Sequence, residues 1–324
     1  MNHLGIVLSG DDLVGVDWPE LLYSLGLNTL GMHSLLDPPP GFREKLERRK
    51  ISFEYEIHSG SALLDRALFS THQEYFPQWL RSGRTGAYNF CPSSAEGMEI
   101  VKLNAVSLMR RHPNSAHRYF FWGDDGKPWC HCRKCASYSM SDLQLLVANR
   151  IAEALEQVDP MAQVAYLAYC EMLDAPVRIK PRANVFLEFA PWYFYPRCPR
   201  HSIADPGCSV NRLLFEKLRR LLAVFPAGTA QVLEYWLDVS IQKREAGGKL
   251  VAPLPYVSEV VEADIAAYRA LGIRNFTTFA VGMDQEYFRR YGDGVLRDYA
   301  RLLLPGAAGV PYAESRIFSG TIPG

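Results

Sequence analysis

The chain has no excess of charge of either sign: 35 Lys and Arg stand against 35 Asp and Glu over 324 residues. A balanced surface offers no field to draw a phosphate backbone or an anionic lipid face, so neither nucleic acid nor membrane is an expected partner. There is also no apolar run approaching the ~20 residues of a membrane span. Met1 to Gly10 carries no basic leader with a long apolar stretch behind it, and the expected location is cytoplasmic. Several motifs are missing as well: the G-x-x-x-x-G-K-[ST] phosphate loop, the G-x-G-x-x-G dinucleotide fingerprint and the G-x-S-x-G elbow. Their absence removes nucleotide-dependent and esterase chemistry. No H-E-x-x-H pair occurs, which argues against a catalytic zinc. Cysteine is sparse and odd in number, with seven residues, and three of them (Cys130, Cys132, Cys135) crowd one short stretch. That distribution suits thiolate metal chemistry in a reducing compartment better than a secreted disulfide framework.

What is present is a large core's worth of apolar residues: 48% hydrophobic and 12% aromatic against 22% charged. Short runs rich in β-branched and aromatic residues recur, each followed by an amphipathic stretch opening near Asp, Ser or Pro. This rhythm predicts strands at Leu4 to Ser9, Thr29 to Ser34, Ser52 to His58, Arg118 to Trp122, Gln163 to Tyr169, Asn184 to Phe189, Gln231 to Tyr235 and Asn275 to Val281. Helices are expected at Asp17 to Leu25, Gly41 to Lys50, Ser94 to Arg111, Ser141 to Val158, Asn211 to Val224 and Ser258 to Leu271. The stretch from Gly60 to Ser93 is too long for an ordinary connection. Alternating βα units predict an α/β chain, a (β/α)8 TIM barrel as a single domain with long βα loops over residues 1–304 and a C-terminal tail over 305–324.

In such barrels the chemistry gathers where the strands end. That rule selects Asp124 and Asp125 after the fourth strand, Glu171 after the fifth, Glu188 on the sixth and Glu234 on the seventh as candidate catalytic carboxylates. Asp284 and Glu286 are weaker candidates. Any one of these acids can instead be a helix cap or a solvated charge. Glu188 and Glu234 lie among apolar and aromatic neighbours, where a carboxylate must be paired or hydrogen-bonded. Several acids around one mouth would supply what glycoside cleavage needs: a proton for the leaving oxygen and a second group for the cationic sugar. His58, Trp122, Tyr169, Trp192, Tyr193, Tyr235 and Trp236 are the candidate substrate-binding residues, with Trp129 and Tyr195 nearby in sequence. Flat rings there can stack on sugars or simply close the barrel top as core. The expected partner is an oligosaccharide or glycan. Cys130, Cys132 and Cys135 lack a fourth local ligand for zinc; Cys91 can supply it if its loop folds back, and His131 is the second option. Structural zinc and free, packed thiols both fit this pattern, and no cofactor is expected to be required for catalysis. Cys198 and Cys208 share a loop, but a reducing compartment argues against a bridge.

The run from Arg118 to Leu155, with W-G-D-D-G-K-P-W-C-H-C-R-K-C at its head, resembles a bacterial barrel family long described as of unknown function, some of whose members are endo-β-N-acetylglucosaminidases acting on N-glycans. The resemblance extends to His72-Gln73-Glu74-Tyr75-Phe76, to Cys91-Pro92-Ser93-Ser94 with Glu96 behind it, and to Leu167-Ala168-Tyr169 followed by Pro176. It covers the chain from the third strand through the sixth. It implies a (β/α)8 glycosidase akin to hexosaminidases and α-glucuronidases. The family's Asn-Asp-Gly turn falls on Asp124, Asp125 and Gly126, so Asp125 is the matching acid and Asp124 the departure. In hexosaminidase-like enzymes an acid pair orients the substrate's acetamido group and protonates the leaving oxygen, and Glu171 or Glu234 would be the proton donor here. The accessory N-terminal domain common among such enzymes has no counterpart before Leu4. Two other readings stay open: a barrel that binds saccharide without cleaving it, and a metal-dependent hydrolase or lyase using the Cys-rich loop.

Overall fold

A computed structural model describes residues 2–79, 83–193 and 197–304. Tyr195 and the 305–324 tail lie outside the described residues. In chain order the elements are β1 (Gly5–Leu8), α1 (Trp18–Ser24), β2 (Thr29–Met32), α2 (Phe42–Arg48), β3 (Ser52–His58), α3 (Gly60–Leu63), α4 (Ala95–Arg111), β4 (Arg118–Trp122) and α5 (Met140–Glu156). They continue with β5 (Gln163–Ala168), β6 (Val185–Phe189), α6 (Ser209–Leu221), β7 (Gln231–Glu234), α7 (Val239–Glu245), α8 (Ser258–Ala270), β8 (Asn275–Thr278), α9 (Gln285–Tyr291) and α10 (Gly294–Leu303). The eight strands pair in sequence order, and every recorded ladder is parallel. Parallel bridges Leu4 to Phe276 and Val7 to Phe279 join β1 to β8. The fold is therefore the expected (β/α)8 barrel. No helix among the described residues is long and apolar enough to cross a membrane.

Local chemistry explains the element boundaries. The Asp17 side chain caps α1 by accepting from the Glu20 amide at 3.4 Å, with Pro19 in the first turn, where its missing N–H costs nothing. Ser139 and Asp142 form a reciprocal capping box at the start of α5. The other Asp142 oxygen accepts from the Val177, Arg178 and Ile179 amides at 3.0, 2.8 and 3.0 Å, so one carboxylate starts a helix and holds the loop after β5. α5 buries Leu143, Leu145, Ile151 and Leu155, each contributing roughly 1.5–3 kcal/mol by leaving water. Gly5 is required sterically, because a Cβ there would lie 1.9 Å from the Thr29 carbonyl oxygen. Sequence periodicity did not anticipate α7, α9 or α10, nor the short α3 and the two 3-10 turns Arg66–Ser70 and Gln73–Tyr75 inside the long insertion.

The chain groups into two compact units. The first comprises Met1–Tyr55, Cys198–Arg212 and Gln231–Gly324; the second comprises Glu56–Arg197 and Leu213–Ala230. In each, period-two alternation sorts strand side chains between a helix-packed face and the opposite one. In the first unit Arg43 of α2 lies 5.2 Å from the Phe53 and Tyr55 rings, and Tyr268 of α8 meets Phe276, so these strand residues face helices. On the opposite face His33 and Tyr235 both meet Phe279, at 5.6 and 5.3 Å, and Gln231 donates to Thr277 at 3.0 Å. In the second unit Tyr166 of β5 stacks on Phe225 at 5.1 Å on the helix side.

Candidate active site

The helix-free face of the second unit carries the polar side chains. β3 contributes Glu56 and His58, β4 Arg118, Phe120 and Trp122, and β6 Phe186 and Glu188; the register sets His58 opposite Trp122 and Leu167 opposite Glu188. The Arg118 guanidinium lies 4.5 Å from the Phe186 ring centre and 5.4 Å from that of Phe120. The Trp122 indole N–H donates to Glu188 Oε2 at 2.7 Å. Glu188 and Glu56 have no exposure, and a charge-assisted bond of this kind is what a buried carboxylate requires. The expectation that Trp122 stacks on a sugar is corrected: it is 3% exposed and its polar edge is committed to Glu188.

At the strand ends, His58 Nδ1 donates to the Gly123 carbonyl at 2.6 Å, which leaves Nε2 aimed at Asp125 Oδ1, 3.9 Å away. The Asp125 side chain is 67% exposed, and its carboxylate neighbours the Tyr169 hydroxyl. Burial holds the Tyr169 phenol well above its ordinary range, and the negative charges of Cys170 and Asp125 add to this, so the hydroxyl is a donor at every working pH. Cys170 adopts a left-handed φ of 51°, a costly conformation for a side-chain-bearing residue that often marks a functional turn. Burial first, and then the charges of Asp125 and Glu171, push its thiol up to about 11 against a hydrogen bond from Tyr169. The charges of the two carboxylates selected at the ends of β4 and β5 are thus both felt at one thiol. Alkylation of Cys170 by iodoacetamide is expected to accelerate only as pH approaches about 11. Asp125→Asn or Glu171→Gln should move that midpoint downward, because removing a negative neighbour favours the thiolate; mass spectrometry of the modified peptide reads it, and an unmoved midpoint would separate the acids from the thiol.

Asp124 is engaged in holding its own turn. Its carboxylate accepts from Arg66 Nη2 at 2.6 Å and from the Asn89 amide, and only 20% of the side chain is exposed. Asn89 is buried: its Oδ1 accepts from the Asp124 amide at 2.8 Å, and its Nδ2 donates to the Lys127 and Pro128 carbonyls at 3.0 and 2.9 Å. Gly60 completes the fit, since a Cβ there would lie 2.4 Å from Asp124 Oδ1. Trp192 is half-buried at the end of β6, its carbonyl accepting from the Cys170 amide at 2.8 Å. Tyr193 has Lys217 Nζ 4.6 Å from its ring centre, and that lysine pairs with Asp174 at 2.6 Å, so one ring face is already covered.

In the first unit the seventh-strand candidates separate. Glu234 is on the helix-packed face: fully buried, it accepts from the Tyr268 hydroxyl of α8 at 2.6 Å. Trp236, on the same face, donates to Asp264 of α8 at 2.9 Å and packs on Tyr268 and Tyr299. Both assignments are corrected, Glu234 as a catalytic acid and Trp236 as a sugar platform, because register turns them into the helix layer. Tyr235 takes the opposite face beside Phe279. Asp284 caps α9 and pairs with Lys243 at 2.9 Å, while Glu286 pairs with Arg290 at 2.6 Å.

Residues missed from sequence are Glu56, Arg118, Arg66 and Asn89. For Glu56 the signal was available: Ser52, Glu54, Glu56 and His58 alternate strictly with Phe53, Tyr55 and Ile57 along β3. Cys91 comes back to Cys130, Cys132 and Cys135, all four buried with sulfurs within 4.8 Å of one another. Hydrogen bonds from the Cys130 and Cys135 thiols hold the Cys91 thiol well below its ordinary range. His131 stands edge-on to Trp79, and Cys198 and Cys208 are not joined in a disulfide.

Residues 41–212 match the family model "Domain of unknown function (DUF4838)". No curated protein matches the chain by sequence. Among solved structures, a glycoside hydrolase family 5 enzyme, PbGH5A from Prevotella bryantii B14, superposes with a TM-score of 0.50 at 8% identity, covering 93% of this chain and 96% of that one. Endo-glycoceramidase II from Rhodococcus sp. gives 0.46 at 10% identity over 86% and 72%. A GH42 β-galactosidase from G. stearothermophilus gives 0.47 at 13% identity over 93% and 56%. At these identities the likeness is one of fold.

Proposed function

The chain belongs to the DUF4838 family, and from that premise we propose that it is a hexosaminidase-like glycoside hydrolase acting on N-acetylhexosamine-containing glycans. The observation carrying this reading is the grouping of exposed Asp125 and Glu171 about Tyr169 and Cys170, with His58 Nε2 3.9 Å from Asp125. An acetamido group presents one acceptor and one donor: its carbonyl oxygen accepts from a phenol and its N–H donates to a carboxylate. Tyr169 and Asp125, close neighbours, would form the complementary pair with the phenol proton turned to the acetamido oxygen and the carboxylate left to accept from the N–H. In that role Asp125 would orient the acetamido oxygen toward the anomeric carbon, and Glu171 would protonate the leaving oxygen. Glu188, tied to Trp122, would hold the floor beneath. Asp124 would keep the turn in place through Arg66 and Asn89.

The test is a set of aryl glycosides differing only at C2. N-acetylglucosaminide should be cleaved in preference to glucoside, and equal rates would remove the acetamido assignment. A second reading, saccharide binding without turnover, is favoured by one observation: Glu234 is turned into the helix layer. It predicts a measurable Kd for N-acetylglucosamine with no release from any glycoside. A metal-dependent hydrolase is disfavoured, because four buried thiols around one point fill a tetrahedron and leave no position for water.

A further inference from the structure

We propose that Cys91, Cys130, Cys132 and Cys135 form a mononuclear structural zinc site that clamps the long insertion to the loop after β4. Spacing is the first argument. Sulfurs bound at about 2.3 Å to one zinc ion stand about 3.8 Å apart along a tetrahedron's edges. Cys91 lies 3.8 Å from Cys132 and 4.0 Å from Cys135. An iron–sulfur cluster interposes inorganic sulfide between its irons and needs thiolates set farther apart. All four cysteines are free, so no disulfide accounts for their approach.

The surroundings are the second argument, because bound thiolates need donors and compensating charge. The Gln78 and Cys132 amides donate to Cys130 Sγ at 3.3 and 3.4 Å, and the Ser93 hydroxyl lies 3.1 Å from Cys91 Sγ and 3.5 Å from Cys132 Sγ. The Arg84 guanidinium hydrogen-bonds to Cys91, and Arg133 and Lys134 line the same cavity. A zinc tetrathiolate carries two net negative charges; these three cations, set against Glu74 and Glu96 of the same cavity, leave one net positive charge that offsets it in part. Loading forms four Zn–S bonds, and each thiol that binds gives up its proton to solvent.

Connectivity gives the site its purpose. Cys91 ends the insertion two residues after Asn89, and the other three ligands follow the turn that Asn89 holds. Metal would therefore fix two segments that both touch the Asp125 turn, acting on the site by position and not by contact with substrate.

The full chain, purified under reducing conditions, should contain one zinc per molecule by elemental analysis. Exchange with cobalt should produce the intense sulfur-to-metal charge-transfer bands of a tetrahedral thiolate site. This spectrum needs no variant, so a misfolded mutant cannot obscure it. Cys132→Ser should weaken zinc retention against a chelator at least tenfold, whereas Cys208→Ser, outside the set, should leave it unchanged. Zinc removal should speed amide exchange around residues 72–79 and 128–138 more than elsewhere. Iron in place of zinc, a cobalt spectrum without thiolate bands, or full retention in Cys132→Ser would each overturn the proposal. None of these readouts depends on glycoside turnover, so the hydrolase reading stands or falls separately.

Discussion

Asp125→Asn lowers the rate of glycoside cleavage by about 10²- to 10⁴-fold, the range in which positioned acid–base groups contribute, with little change in thermal stability. The size of the loss follows from the group's situation. Its side chain is 67% exposed, with Tyr169 as neighbour and His58 Nε2 3.9 Å away, so little in the packing depends on its charge. Asparagine keeps the shape and the carbonyl acceptor but loses the negative charge that would stabilise the acetamido N–H as the oxygen attacks. Glu171→Gln supplies a companion measurement. If Glu171 donates the proton, its loss should be severe for alkyl leaving groups and mild for nitrophenol, which departs without protonation. A uniform loss across leaving groups would move Glu171 out of that role. An Asp125→Asn enzyme retaining full kcat/KM would end the assignment of the turn as the catalytic centre.

Asn89→Ala removes about 3 kcal/mol of stability, measured by urea denaturation. Three side-chain bonds, at 2.8, 3.0 and 2.9 Å, disappear together, and they serve one amide and two carbonyls in a part-buried turn. Each unreplaced bond costs on the order of 1 kcal/mol. The backbone adds to this, since Asn89 has a φ of 40°, a region that asparagine tolerates better than alanine. Activity should fall too, because the Asp124 amide that Asn89 holds begins the turn carrying Asp125. Asn89→Asp preserves the acceptor for the Asp124 amide but places a second charge beside the Asp124 carboxylate, so it should be no milder. A cost below 1 kcal/mol for Asn89→Ala would show that the turn is held elsewhere.

The eight strands were legible because buried parallel strands write themselves as short β-branched and aromatic runs, and the amphipathic segments between them read as helices. Which face a strand residue takes was less legible. Choosing acids by nearness to a strand's end placed Glu188 and Glu234 in one class, yet register sends Glu188 to Trp122 and Glu234 to Tyr268 of α8. A period-two count from Val232 groups Glu234 with Trp236, and Trp236 is a natural packing residue; that pairing was the available clue. The anchoring role of Asp124 depends on Arg66 and Asn89, both far away in sequence, and no local pattern reveals it. Cys91 differed in this respect, since a tetrahedral site would need a fourth ligand, for which Cys91 and His131 were the candidates, and the fold brings Cys91 to the other three thiols.

Arg66 and Asn89 both terminate on Asp124, so the peptide between them is a detour that leaves and returns to one carboxylate. Closing a detour costs entropy that rises only with the logarithm of its length. Length changes confined to the exposed turns of that excursion therefore come at small loop-closure expense, whereas Tyr75, Phe76 and Gln78 within it are tied to the core and to the cysteine cluster. On the proposed hydrolase reading, the outer contour of the mouth, and with it the size of glycan admitted, would change without moving Asp124.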